Sequence, residues 1–67
     1  MSHSEARRQM VALLPRLRRY ALVLERTPDG ADDLVQATLE RALAKLDQWQ
    51  RDSHLDRWMF QVMKSVW

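Results

Sequence analysis

Asp33, Gln36, Glu40 and Asp47 are the side chains whose types and spacing most invite chemistry. At about 100° per residue they fall within a narrow stripe along one helix, with Asp32 beside them. Carboxylates and an amide in such a row can accept charge-assisted hydrogen bonds from the arginines or lysines of a basic partner. Arg57, Gln61, Lys64 and Ser65 form a second set, gathered within about one-third of a later helix's circumference. Catalysis is poorly served. The only histidines are His3, a terminal residue, and His54, in the first turn of the last helix. Cysteine is absent, and Gly30 as the only glycine leaves no glycine-rich phosphate loop. Asp32 and Asp33 diverge on a helix and form no acid/base dyad. Neither an enzyme, a cofactor nor a metal site is expected, since the usual Cys/His zinc sites are excluded.

The elements that must position these residues read as helices. Opposite the acidic stripe lie Val35, Thr38, Leu39, Ala42, Leu46 and Trp49, so this helix is expected to run to about Trp49 with an apolar side that builds a core. Thr27-Pro28-Asp29-Gly30 reads as a loop with Asp29 as N-cap, which puts Asp32 and Asp33 in a first turn whose dipole favours carboxylates. That effect does not reach Gln36, Glu40 or Asp47. Upstream, Met10, Leu13, Leu14, Leu17, Tyr20, Ala21 and Leu24 keep a 3/4 spacing from about residue 5 to 26, with Arg8, Arg19 and Arg26 nearly opposite. Pro15 lacks an N–H and disfavours helical geometry at Leu14, which predicts a break or kink with Pro15 opening a second helix. Downstream, Gln50-Arg51-Asp52 form a polar link, and Ser53 with Asp56 resembles a capping box. The last helix then buries Leu55, Met59, Val62 and Val66, flanked by Trp58 and Met63. Trp49 and Trp58 fit the core pattern. Phe60 and Trp67 share its flank and are expected to pack on a further part of the chain or on a partner.

Composition sets the fold class. Sixty-seven residues with one glycine, two prolines and no cysteine leave packed helices as the only source of stability. No window alternates apolar and polar residues as a half-buried strand would. The expectation is an all-α, small three- to four-helix bundle forming one domain, without repeats or low-complexity tracts. The formal net charge of +2 hides a segregation. Residues 1–28 hold six arginines against two glutamates, residues 29–49 two basic against five acidic side chains, and residues 50–67 three basic against two acidic. Such asymmetry is compatible with one surface for an anion and another for a basic partner. No apolar run approaches the roughly 20 residues that span a bilayer, and the start lacks a signal-peptide core. A cytoplasmic location without membrane insertion is therefore expected.

The segment Asp32-Asp33-Leu34-Val35-Gln36-Ala37-Thr38-Leu39-Glu40-Arg41-Ala42-Leu43 resembles the second conserved region of bacterial sigma-70 family transcription initiation factors, most closely the extracytoplasmic-function (ECF) group. Leu13 to Leu22 looks like the helix that precedes it in that family, and Trp58-Met59-Phe60-Gln61-Val62-Met63 like the family's Trp-Leu-Phe-x-Ile segment. The resemblance implies a sigma-70 region 2 domain, residues 1–67. Val66 and Trp67 still follow the helical pattern with no terminating signal, so the chain is expected to be a piece cut near its last helix, lacking the family's helix-turn-helix region 4 domain.

The resemblance also implies partners. Asp32, Asp33, Gln36 and Glu40 would bind core RNA polymerase at the clamp helices of its largest subunit. Gln50, Arg51, Ser53, His54, Arg57, Gln61, Lys64 and Ser65 would face promoter DNA, recognising and helping to melt the −10 element by holding non-template bases. An anti-sigma factor would be a further partner. Two departures stand out: Lys64-Ser65 occupies positions where many ECF factors carry Arg-Asn, and Ala37 replaces the usual glutamate after Gln36. Lys64-Ser65 permits a rival reading as a sigma-like mimic domain that sequesters an anti-sigma factor, and a generic helical interaction module is a third.

Overall fold

The computed structural model describes residues 4–50 and 54–67. Three helices, α1 (Ser4–Glu25), α2 (Pro28–Ala44) and α3 (Leu55–Val66), pack together, with a short 3₁₀ turn at Leu46–Gln48 after α2. The all-α expectation holds among the described residues. The molecule is elongated, 38 × 20 × 17 Å, because the 22 residues of α1 extend about 33 Å at 1.5 Å per residue.

Pro15 does not divide α1. The helix is continuous through it, so the expected break, with Pro15 opening a second helix, does not occur. Pro15 lies on the exposed side, where the Val11 carbonyl that loses its N–H donor can be solvated. On the other side Ala6, Met10, Leu17 and Ala21 are all buried, and one continuous helix is what keeps them in register against α2 and α3.

α1 ends at Glu25, and Arg26 reverses the chain with φ of 67°. Its N–H closes onto the Leu22 carbonyl at 2.8 Å, a left-handed terminus that costs any residue other than glycine. Thr27, not Asp29, caps α2. Its extended backbone (φ −126°, ψ 145°) lets Oγ1 accept the Gly30 N–H at 3.1 Å, and Pro28 takes the first helical position, where no N–H is needed. The helix therefore starts inside the expected loop. Asp29 becomes the first-turn carboxylate, and Asp32 and Asp33 move to the second turn.

α2 packs against both other helices, which rotates its buried line from the expected one. Ala31, Leu34, Thr38 and Ala42 are buried, while Val35 and Leu39 are only half-buried. Leu17, Thr38, Met59 and Met63 are the largest fully enclosed side chains, drawn from all three helices. Thr38 satisfies its hydroxyl by donating to the Leu34 carbonyl at 2.7 Å, so a polar group sits in the core without penalty. Met10, Met59 and Met63, flexible side chains that adapt to irregular space, are all buried between the helices.

α2 also stops short of Trp49. At Lys45 the backbone leaves helical geometry (φ −107°, ψ 11°), and its N–H is shared between the Arg41 and Ala42 carbonyls at 3.0 and 3.2 Å. The 3₁₀ turn that follows still buries Leu46. The predicted capping residue Ser53 lies outside the described residues; His54 occupies the N-cap of α3 without a side-chain cap bond, and Asp56 accepts the Arg57 N–H at 2.8 Å.

Two substitutions test the turn between α1 and α2. Arg26→Gly should raise stability by about 0.5–1 kcal/mol by removing the left-handed penalty, read as a higher urea midpoint at unchanged slope. Gly30→Ala, which would gain about 1 kcal/mol in an open helix, should instead lower the midpoint. A Cβ there would stand 2.8 Å from Thr27 Oγ1 and 3.2 Å from Glu25 Cβ, so it displaces the cap.

Candidate functional site

The rotation of α2 decides what its outer side offers. With Ala31, Leu34, Thr38 and Ala42 inward, Asp33, Gln36 and Glu40 stand almost diametrically opposite, and all three are exposed. They form a short acidic row of two turns. Asp47, expected to prolong it, belongs to the 3₁₀ turn and leaves the stripe.

Asp32 is placed differently. Its Oδ1 accepts from Arg18 Nε at 2.8 Å, an ion pair joining α1 and α2. The hydrogen bond, and then the carboxylate's charge, raise the pKa of the Arg18 guanidinium above its usual value. Both side chains are more than half exposed, so the pair adds little to stability, but it engages Asp32 within the chain. A sequence separation of 14 residues with no fixed spacing gave no signal for it.

On α3 the buried side is Leu55, Met59, Val62 and Met63. His54, Arg57, Gln61, Lys64 and Ser65 are all exposed on the opposite side, so the second candidate set is brought together as spacing implied. His54, Arg57, Trp58 and Gln61 line one shallow groove with a half-buried indole beside a guanidinium. Ser65 is turned back on its own helix, its hydroxyl donating to the Val62 carbonyl at 2.7 Å. Gln50 is exposed; Arg51 and Ser53 lie outside the described residues, as does His3.

The aromatic residues sort themselves by packing. Trp49 is half-buried on the core, with its indole N–H shut off from solvent and no acceptor among the described residues. Phe60 is not held for an outside partner. It meets Tyr20 of α1 edge-on at 5.2 Å between ring centroids, and the Arg16 guanidinium lies 5.8 Å from its ring centre. Arg16 also reaches Asp56 at 3.5 Å. This cluster holds α1 to α3 and so sets the tilt of the α3 outer face. Trp67 remains exposed.

Among the described residues no group of histidines and carboxylates could hold a metal ion, and no helix is long and apolar enough to cross a membrane.

Comparison with known proteins places the chain in a family. The family model described as the sigma2 domain of PhyR matches residues 10–64. An ECF RNA polymerase sigma factor, EcfG of Rhodopseudomonas palustris (strain TIE-1), is 43% identical over 60 residues, covering 90% of this chain and 33% of the relative. The chain thus spans about a third of that relative's length. No solved structure matches the chain. All of α2 with its outer row, and most of α1 and α3, fall within residues 10–64, and the chain belongs to the sigma-70 region 2 family, in its ECF branch.

Proposed function

We propose that this domain binds core RNA polymerase through Asp33, Gln36 and Glu40 and engages the −10 promoter element through the outer face of α3. The observation that carries the reading is the exposure of those three side chains opposite the buried line of α2. A row of acceptors with no partner among the described residues is suited to arginines and lysines on the clamp helices of the polymerase's largest subunit. Asp32, tied to Arg18, contributes to the local field rather than to direct contact.

The DNA part rests on Arg57, Gln61 and Lys64, one exposed face with both charge and an amide. The groove beside Trp58 offers an aromatic edge next to His54 and Arg57, a combination that suits an unstacked base. Arg51 and Ser53 are assigned to the same surface by the family resemblance alone. In this role the protein acts in the cytoplasm, as a regulator of transcription without catalysis of its own.

One observation favours a second reading, a sigma-like domain that sequesters an anti-sigma factor. The Ser65 hydroxyl is bonded to the Val62 carbonyl, so the position where many ECF factors present an asparagine amide offers little to a base. Lys64 keeps a charge for phosphate but no planar amide for readout.

Asp33→Ala with Gln36→Ala should weaken binding to purified core polymerase by at least tenfold while leaving the circular dichroism unchanged, because both side chains are exposed. Unchanged binding by the double variant removes the proposed interface. Bound to polymerase, the domain should retain a forked −10 DNA with steep salt dependence that becomes shallower on Arg57→Ala and Lys64→Ala. Polymerase binding without any DNA retention selects the sequestering role.

A further inference from the structure

We infer that Asp56, held by Arg16 of α1, is a positioning residue for the DNA face of α3, an inference that rests on the reading of that face given above. The first turn of α3 carries Arg57, yet His54 at the N-cap makes no side-chain cap bond. Asp56 supplies an acceptor instead. Its Oδ1 takes the Arg57 N–H at 2.8 Å, while its Oδ2 lies 3.5 Å from Nη2 of Arg16. The two oxygens thus have separate tasks, one ordering the backbone of Arg57 and the other fixing the carboxylate from a neighbouring helix.

Placement carries this order to the outer face. Asp56, Phe60 and Lys64 follow at four-residue spacing along one ridge of α3, and Arg57 and Gln61 form the next ridge outward. Arg16 holds the first ridge twice, at the Asp56 carboxylate and at the Phe60 ring 5.8 Å away, and Tyr20 meets the same ring from α1. Gln9, Arg16, His54 and Asp56 line one groove between α1 and α3, and His54 also borders the groove of Arg57, Trp58 and Gln61. The ion pair therefore stands directly beside the proposed DNA surface. Both of its side chains are partly exposed, so it adds little to global stability and its loss is felt locally. Charge alone argues for the opposite outcome, because a carboxylate beside a phosphate-binding face weakens the attraction and its removal would raise affinity. Positioning predicts a fall.

The test measures retention of a forked −10 DNA by the 67-residue chain bound to core polymerase. Asp56→Ala should weaken retention by roughly fivefold, the loss expected for one helix-capping carboxylate, although the face becomes more positive. Arg16→Met keeps an apolar contact with Phe60 and leaves α3 itself unaltered, so it carries the same comparison if Asp56→Ala loses helicity. It should give a similar loss, the double variant should be no worse than either single one, and Arg16→Lys should recover DNA retention to within about twofold. Polymerase affinity and circular dichroism should stay unchanged throughout, which a general loosening of the bundle would not allow. Arg57→Ala with Lys64→Ala is the control for the face itself. Loss of DNA in that control while Asp56→Ala retains or gains DNA overturns the inference alone. No loss in the control removes the reading of the face, and the inference with it. Additive losses in the double variant, or a parallel loss of polymerase binding, would also overturn it.

Discussion

The structure depends on the burial of one side of α2 between α1 and α3, where Leu17, Thr38, Met59 and Met63 exclude water together. A chain of 67 residues without disulfides or a Cys/His zinc site has no other source of comparable stability. Once that layer closes, the remaining faces have no freedom. The outer row of α2 and the outer face of α3 each point where they do because their opposite sides are committed to the same core.

Polar contacts then refine the placement rather than create it. Arg18 with Asp32 joins α1 to α2, and Arg16 with Asp56, Phe60 and Tyr20 joins α1 to α3. Both arginines lie on α1, the most basic helix, and both partners lie at or near the start of a helix. Positive charge is thereby spent on carboxylates that would otherwise repel an anionic ligand, while Asp33, Gln36 and Glu40 remain available on α2. The segregation of charge along the sequence becomes a segregation between faces in space.

Much of this was legible in the residues. The 3/4 spacing located all three helices, and the outer sides of α2 and α3 were correctly anticipated as exposed. The errors came where local signals compete with packing. Pro15 disfavours helix locally, yet the shared burial of Met10 and Leu17 on either side of it keeps α1 whole. Asp29 is a good cap by type, but Thr27 before Pro28 supplies the cap two residues earlier. The apolar count on α2 favoured Val35 and Leu39, whereas two flanking helices bury Leu34 more deeply. Spacing alone leaves Phe60 on the flank of the core, facing a further part of the chain or a partner, because no sequence spacing reveals Tyr20 and Arg16 on another helix.

The central claim is that α2 divides its labour, one side holding the bundle and the other meeting polymerase. The most direct measurement is the NMR footprint on the isotope-labelled chain of a peptide coiled coil carrying the clamp helices of the polymerase's largest subunit. The account predicts shifts that follow Asp33, Gln36 and Glu40 and spare α1, with amide exchange at Thr38 and Ala42 left as slow as in the free protein. A footprint centred on α1, or binding that exposes the Thr38 layer to exchange, would contradict it.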